Sequence, residues 1–475
     1  MGMLRDHCGV IAVAAKEEVA SSLFFGLKAL QHRGQESAGI TTLQADGNAR
    51  TIKGMGLVDT VFPPDKVAEL RGQYGIGHVR YSTAGRSVVD NAQPHTVQSQ
   101  FGWVSLGHNG DIVNAPALLE GLKAKGWAFI TDSDTEVATR LLAKKLTDNG
   151  GNAMRAIREL MGELSGSYSF TMLVGNDLYA VRDPFGIRPL CIGKLPDDGG
   201  YMAASESVAL DVLGAEFIRD VAPGEIVKIT RDGFESQQTP PAPHPAHCFF
   251  EYVYFARSDS VIDGQLAHEA RRKIGMALAA EAPVDADIVV PVPDSGRAHA
   301  SGYAEASGIP LREGLMKNRY VHRTFIMPGQ DNRERNVRLK LNPVKPLIKG
   351  QRVIVVDDSI VRSTTMRRIV ELLRQAGAAQ VHVRIASPPI TDPCYLGVDF
   401  HHRDQLVAAN HKVDEIRKLI GSDSLAYVSI PGLVKAIGMP KASMCLGCVT
   451  GEYPIAIEGE RVRGQHVLED FPVSG

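Results

Sequence analysis

The sequence predicts two units of different class: stacked α+β layers in the first half and a doubly wound parallel α/β sheet in the second. A seam, Thr239–His247, carries four prolines in six residues and divides the chain into nearly equal parts. Prolines stiffen the backbone and remove donors, which is linker chemistry. Before the seam, strand and helix patterns mix without regular alternation, as in stacked layers. After it they alternate, the pattern of βαβ units. At 475 residues the chain exceeds one ordinary core, so two domains, or three, are expected.

The elements follow in order. Cys8–Ala15 is an apolar run suited to a buried strand, and Val19, Leu23, Leu27 and Leu30 fall at helical spacing. Ser133-Asp134-Thr135-Glu136 has capping-box spacing and opens a helix through Leu146. Tyr168–Val174, Leu178–Val181 and Glu225–Ile229 read as strands. Past the seam come a helix Gln265–Ala282, a strand Ala286–Val292, a helix Ala298–Ala306, a strand Arg352–Val356, a helix Thr364–Gln375 and a strand Val381–Ile385.

Composition removes several classes. Hydrophobic residues are 44% of the chain, enough for a globular core. Lys+Arg is 52 against Asp+Glu 54, so no net field draws the chain to nucleic acid or an anionic membrane. No run of about 18 apolar residues suggests a membrane span. Met1–His7 is too short and polar for a secretory signal, and Asp6 breaks the myristoylation pattern. A cytoplasmic location is expected. Six cysteines in so long a chain form no disulfide framework; where they cluster they suggest metal or catalysis.

The sharpest motif is Val355-Val356-Asp357-Asp358-Ser359-Ile360-Val361-Arg362-Ser363-Thr364-Thr365. A buried strand ends in two aspartates and a tight loop delivers hydroxyls to a helix start. Ligands of such sheets bind outside the carboxyl ends of the strands. N–H groups at the helix start, with the Thr364 and Thr365 hydroxyls, can cradle a phosphate monoester. The aspartates suit sugar hydroxyls, directly or through Mg²⁺. Val292-Pro293-Asp294-Ser295-Gly296 follows another apolar strand, and Lys317-Asn318-Arg319-Tyr320 and Arg338-Leu339-Lys340 are basic. Cys8 alone reads as a buried core thiol. For Cys445-Leu446-Gly447-Cys448 with the distant Cys248 and Cys394, spacing leaves a zinc site, a redox pair and coincidence open. Cys191 reads as core.

The aspartate motif resembles the signature of type I phosphoribosyltransferases, and its wording is similar to the amidophosphoribosyltransferase family. Gln31–Gly39, His78-Val79-Arg80-Tyr81-Ser82-Thr83, His108-Asn109-Gly110-Asp111 and Ser133–Glu136 resemble class II, N-terminal-nucleophile glutamine amidotransferases. The resemblance implies a four-layer N-terminal-nucleophile hydrolase fold over 8–238, a linker over 239–247 and a type I phosphoribosyltransferase fold over 248–475, with 1–7 a removable propeptide. It implies ammonia transfer from glutamine to phosphoribosyl pyrophosphate, giving 5-phosphoribosylamine, the first committed step of purine synthesis. Cys8 would be the nucleophile, with its freed α-amine as base. Asn109 and Gly110 would hold the oxyanion. Arg80 would clamp the glutamine carboxylate and Asp134 its ammonium group.

At the acceptor site the resemblance implies phosphoribosyl pyrophosphate contacts from Asp357, Asp358, Ser359, Ser363, Thr364, Thr365, Lys317 and Lys340, and Mg²⁺ at Ser295, Asp357 and Asp358. The segment Tyr320–Asn336 would be a lid. The family usually carries Gly at the position of Ser363; Ser costs about 1 kcal/mol there if the backbone is left-handed. One branch of the family carries a [4Fe–4S] cluster, and its ligand contexts resemble those of Cys248, Cys394, Cys445 and Cys448. Purine nucleotides as feedback inhibitors and a homotetramer are further implications.

Two other readings compete. A sugar-phosphate amidotransferase shares the N-terminal motifs but lacks the Asp357-Asp358 signature. A non-catalytic phosphoribosyl-pyrophosphate-sensing regulator would need a nucleic-acid-binding module, and no basic helix pair is present.

Overall fold

The computed structural model describes residues 8–81, 87–240, 242–318, 341–400 and 402–457. The expected propeptide (1–7), Ser82, Thr83, Lys340 and the expected lid lie outside them.

The first half is built on thirteen strands. In chain order they are β1 (Gly9–Ala15), β2 (Ser37–Leu43), β3 (Ala49–Met55), β4 (Tyr74–Arg80), β5 (His95–Ser99), β6 (Gly102–Ile112) and β7 (Gly166–Val174). There follow β8 (Asp177–Arg182), β9 (Cys191–Lys194), β10 (Gly200–Ala204), β11 (Glu216–Asp220), β12 (Glu225–Ile229) and β13 (Phe234–Gln238). They form two sheets, ordered β11-β9-β10-β1-β4-β2-β3 and β13-β12-β8-β7-β6-β5. Period-2 alternation explains how they stack. On β1, Val10, Ala12 and Ala14 enter the core between the sheets with Ile76, Leu173 and Ala180. Ile11 and Val13 face the helix Ala20–Ala29, packing on Leu23 and Leu27. On the second sheet, Val104 and Leu106 of β6 pack outward under the helices Asp134–Asp148 and Ala153–Glu163. The result is the expected helix–sheet–sheet–helix stack.

The helix at Ser133 starts where the sequence expects it, but not with the expected cap. The Ser133 hydroxyl accepts from the Thr135 N–H. Glu136 does not return to the Ser133 N–H; its carboxylate accepts instead from the Ile130 and Thr131 N–H groups and the Thr131 hydroxyl. It thus closes the preceding loop, and the capping box is not formed.

The second half has a four-stranded sheet in the order Ile288–Pro291, Arg352–Asp357, Gln380–Ile385, Ser424–Tyr427, every pair parallel. Fully buried Val353, Ile354, Val355 and Val356 explain its continuous apolar run. The helices Ala267–Glu281 and Gly296–Ser307 pack on one face; Ser363–Gln375 covers the other.

The proline-rich seam is docked. The N–H groups of Ala242, Ala246 and Cys248 donate to the carbonyls of Pro184, Phe185 and Ile187. Side chains tie the halves further: Arg182 forks onto Asp263 at 2.7 and 2.9 Å. Among the described residues, no helix is long and apolar enough to cross a membrane.

Candidate active site

The two-sheet stack brings the nucleophile candidate to the open end of its inner core. Cys8 precedes β1 with the parity of Val10, and its thiol is buried at 6% exposure. Burial pushes the thiol pKa up, while the Tyr81 carbonyl, 3.8 Å from Sγ, and the Arg80 cation act the other way. Asn109 lies on β6 with the parity of Gly107, whose α-carbon faces Val10 and the Gly77 carbonyl across the gap. The Asn109 side chain is fully buried, and its Oδ1 and Nδ2 have no hydrogen-bond partner among the described residues. Such an amide costs roughly 1–3 kcal/mol if left unsatisfied, so an idle donor here points to a group that arrives later.

Gly110 has φ 149°, and a β-carbon there would lie 2.0 Å from the Ser167 carbonyl oxygen. Only glycine fits. Arg80 ends β4, 3% exposed, with Nη1 3.4 Å from Glu36 Oε1. Asp134 opens its helix, where the N-terminal dipole favours a carboxylate. Burial would raise its pKa, but His108 at 3.5 Å and the Ile112 N–H at 3.1 Å outweigh it and hold the carboxyl down at about 2. Asp134 and Arg80 both act electrostatically on the Cys8 sulfur.

The acceptor site sits at the carboxyl end of the strand Arg352–Asp357. Ser295, Asp357, Asp358, Ser359, Thr365 and Tyr254 line one pocket. Burial pushes both aspartate carboxyls up, and the Asp358 charge helps push Asp357 well above the ordinary range, while bonds from Ser295 and Ser359 and the Arg271 charge act the other way on Asp358. Ser295 and Ser359 hydrogen-bond to Asp358, the latter at 2.5 Å. The helix Ser363–Gln375 begins with no side-chain cap, and Thr365 Oγ1 is buried without a partner. Free N–H groups and an idle hydroxyl at a helix N-terminus suit a phosphate. Ser363 is the first helical residue and is not among the described non-glycine residues with positive φ. The left-handed cost does not arise, and Ser363 is tolerated without strain. Thr364 is exposed. Lys317 does not line the pocket; its Nζ pairs with Asp294 at 3.0 Å beside the Ser295 loop.

Of the four cysteines, Cys248 and Cys445 face each other across a parallel bridge, His247–Cys248 beside Met444–Cys445. Cys394 and Cys448 act electrostatically on the same group. Cys394 Sγ accepts from the Leu396 and Val398 N–H groups at 3.4 Å each. All four are free thiols, and burial raises their pKa values. Among the described residues, no set of three or more His, Cys, Asp or Glu side chains is arranged to hold a metal ion. Cys191 is a core thiol, 1% exposed.

The sequence reading missed a buried ionic chain between the halves. Arg33, 1% exposed, donates from Nε to the Cys8 carbonyl at 3.2 Å, from Nη1 to Glu206, and from Nη2 to Glu251 at 2.7 Å. Arg188 reaches the same Glu251 oxygen at 3.2 Å. Glu251 opens a wide turn, Glu251–Phe255, that carries Tyr254 to the acceptor pocket. Arg271 holds that turn through the carbonyls of Tyr252 and Ala256, and its charge acts on Asp358. Arg33 lay inside the noted segment Gln31–Gly39, but nothing in a sequence marks a charge as buried.

A buried thiol and an idle amide donor in one half, with a pocket of paired carboxylates at a helix start in the other, fit a glutamine amidotransferase joined to a phosphoribosyltransferase. The comparisons agree. A glutamine amidotransferase domain family matches residues 78–212 and a phosphoribosyl transferase domain family residues 264–388. The amidophosphoribosyltransferase of Archaeoglobus fulgidus is 49% identical over 95% of this chain and 99% of its own. That of Methanothermobacter thermautotrophicus is 47% identical over 96% of each. The solved glutamine phosphoribosylpyrophosphate amidotransferase of B. subtilis, complexed with ADP and GMP, superposes with a TM-score of 0.88 at 44% identity, covering 95% of this chain and 98% of its own. The chain belongs to the amidophosphoribosyltransferase family, the enzymes that move the amide nitrogen of glutamine onto phosphoribosyl pyrophosphate.

Proposed function

We propose the following division of labour, carried above all by the buried, unpartnered carboxamide of Asn109 on the same inner face as Cys8. Removal of residues 1–7 frees the α-amine of Cys8, which titrates near pH 8 and takes the thiol proton. The thiolate attacks the glutamine amide carbon. Asn109 Nδ2 and the Gly110 N–H receive the oxyanion, ammonia leaves, and a thioester remains for hydrolysis to glutamate. Arg80 binds the substrate carboxylate as a planar fork. Asp134, ionised at any ordinary pH, binds the ammonium group.

In the second half, the start of the helix Ser363–Gln375 holds the 5-phosphate through Ser359, Ser363, Thr364 and Thr365. Asp357 and Asp358 face the ribose hydroxyls. Their raised pKa values mark a pair that wants a cation, and with Ser295 they form an oxygen donor set suited to Mg²⁺. Mg²⁺ would offset the charge gained by the departing pyrophosphate. Lys317, beside the Ser295 loop, and Lys340 add positive charge. Ammonia then crosses the apolar seam, where Val113 and Ile187 of the first half pack with Phe250 and Tyr252 of the second.

For the four thiols, which act electrostatically on one another, we keep the all-thiolate [4Fe–4S] cluster that the family resemblance implies; it would need the thiols drawn together beyond their arrangement among the described residues. Such a group would pin the linker exit to the C-terminal segment. Purine nucleotides as inhibitors fit the ADP and GMP named with the B. subtilis enzyme, and a homotetramer and a cytoplasmic location complete the reading.

One comparative assay tests it. Cys8→Ala abolishes glutamine-dependent synthesis and keeps ammonia-dependent synthesis; Asp357→Asn abolishes both and keeps basal glutaminase. The same active, anaerobically prepared wild-type sample begins at Cys8 by mass spectrometry and contains about four irons per chain. Loss of every activity in both folded variants would defeat the two-site scheme, and one zinc per chain would defeat the cluster.

A further inference from the structure

The acceptor half reaches into the glutaminase site at one point. After Cys394 the chain makes a tight turn, Tyr395-Leu396-Gly397-Val398, whose backbone lies against the backbone of Gly110. Gly397 has φ 98°. A β-carbon placed on it would lie 3.1 Å from the Gly110 carbonyl carbon, 3.3 Å from the Gly110 α-carbon and 3.0 Å from Arg188 Nη2. The turn is held from both sides. Its Leu396 carbonyl accepts from the Ser167 hydroxyl at 2.9 Å and from Arg188 Nη2 at 2.7 Å. From its own side, the Leu396 and Val398 N–H groups point at Cys394 Sγ. Ser167 in turn bonds the Asp111 N–H, next to Gly110, at 3.2 Å. Gly110 is thus clamped between the Ser167 carbonyl on β7, 2.0 Å from where its β-carbon would be, and Gly397 of the other half.

An oxyanion donor works only if its N–H is aimed before the charge develops. Gly110 has the backbone freedom of glycine, so its peptide orientation needs outside restraint. We propose that the Leu396–Gly397 turn is a positioning element for the glutaminase reaction: the acceptor half sets the direction of the Gly110 N–H. The inference rests on Gly110 being an oxyanion donor. It makes the glutaminase site incomplete without its partner half, so that nitrogen is released efficiently only in the assembled two-site enzyme.

The test is Gly397→Ala in the full chain, with Ser167→Ala as a second variant that adds no clash and removes one anchor of the turn. Glutamine-dependent kcat is expected to fall about tenfold or more in Gly397→Ala and by less in Ser167→Ala, because small misplacements near the reacting atoms cost about that much. KM for glutamine stays within about twofold, since Arg80 and Asp134 are untouched. Ammonia-dependent synthesis stays within about twofold of wild type in both variants, which a general folding defect would not allow. Parallel loss of glutamine- and ammonia-dependent rates, a rise in KM with unchanged kcat, or unchanged glutamine kinetics in both variants would each overturn the proposal. Asn109→Ala, assayed alongside, separates the failures. If it loses glutamine-dependent turnover while the two variants do not, the oxyanion site stands and the positioning element falls. If it too is unaffected, the oxyanion assignment itself is wrong.

Discussion

Asp134 in the first half and the pair Asp357-Asp358 in the second are all buried carboxylates, yet their pKa values move in opposite directions. Asp134 is surrounded by His108 and by N–H and hydroxyl donors and is held at about 2. At Asp357 and Asp358 burial wins over the donors Ser295 and Ser359 and both carboxyls are pushed up, Asp357 further by the Asp358 charge. The first site is electrostatically finished as folded: its anion is stabilised before any ligand arrives. The second is unfinished, because two carboxylates in one pocket need an incoming cation to ionise together. The two sites thus differ in whether protein groups alone settle their carboxylates.

The largest effect that can break this contrast comes from Asn109→Ala. If the first site is preorganised, removing its idle donor lowers glutamine-dependent kcat by about 10²–10³-fold and leaves ammonia-dependent synthesis intact. Steady-state kinetics with both nitrogen donors decide it; a fall below fivefold would mean that the oxyanion is held elsewhere.

A smaller effect sharpens the contrast from the boundary. Glu251→Gln leaves Arg33 and Arg188 without their shared carboxylate. Breaking a buried pair costs about 3–5 kcal/mol of stability. Because Arg33 holds the Cys8 carbonyl, the glutamine-dependent rate falls about tenfold, more than the ammonia-dependent one. Thermal denaturation and paired assays measure both, and equal losses would make Glu251 a scaffold residue only.

The smallest effect is on acid stability. Burial pushes the imidazoles of His78 and His95, both in the first half, and of His299 in the second, down to about 3 from the ordinary 6.5. The unfolded chain binds these protons first, so each histidine's contribution is full above pH 6.5 and is lost toward pH 3, at about 1.4 kcal/mol per pH unit. Asp134 adds a loss between about 4 and 2. In the second half the raised Asp357 and Asp358 act oppositely: the folded state holds their protons more tightly, so acidification there restores stability. The first half is therefore expected to unfold first. Both tryptophans, Trp103 and Trp127, lie in it, so their fluorescence should change at a higher pH than ammonia-dependent activity is lost. Coincident transitions would show the halves to be one cooperative unit.

Much of this was legible in the residues because it depends on local pattern. The apolar run from Cys8, the helical spacing of Val19 to Leu30 and the alternation after the seam each state their burial directly. Asp357-Asp358 was legible because two acids ending an apolar strand are hard to explain otherwise. What escaped depends on partners far apart in the chain. Glu136 was read as half of a capping box; the helix starts there, but the carboxylate bonds the Ile130 and Thr131 N–H groups and not that of Ser133. The cost attached to Ser363 presumed a glycine conformation that the helix start does not use. Arg33, Glu206 and Glu251 are ordinary charged residues in one dimension and a buried cluster in three. Gly397 carried no signal, since its reason is the backbone of Gly110.

The proline-rich seam has one more consequence. Its contacts with Pro184, Phe185 and Ile187 run through backbone N–H and carbonyl groups, so this part of the join is written in main-chain atoms, beside the side-chain ties of Arg182, His247 and Asp263. Such a fastening tolerates drift in amino-acid identity while it preserves the path of the chain. Two units that look like beads on a string are laced edge to edge.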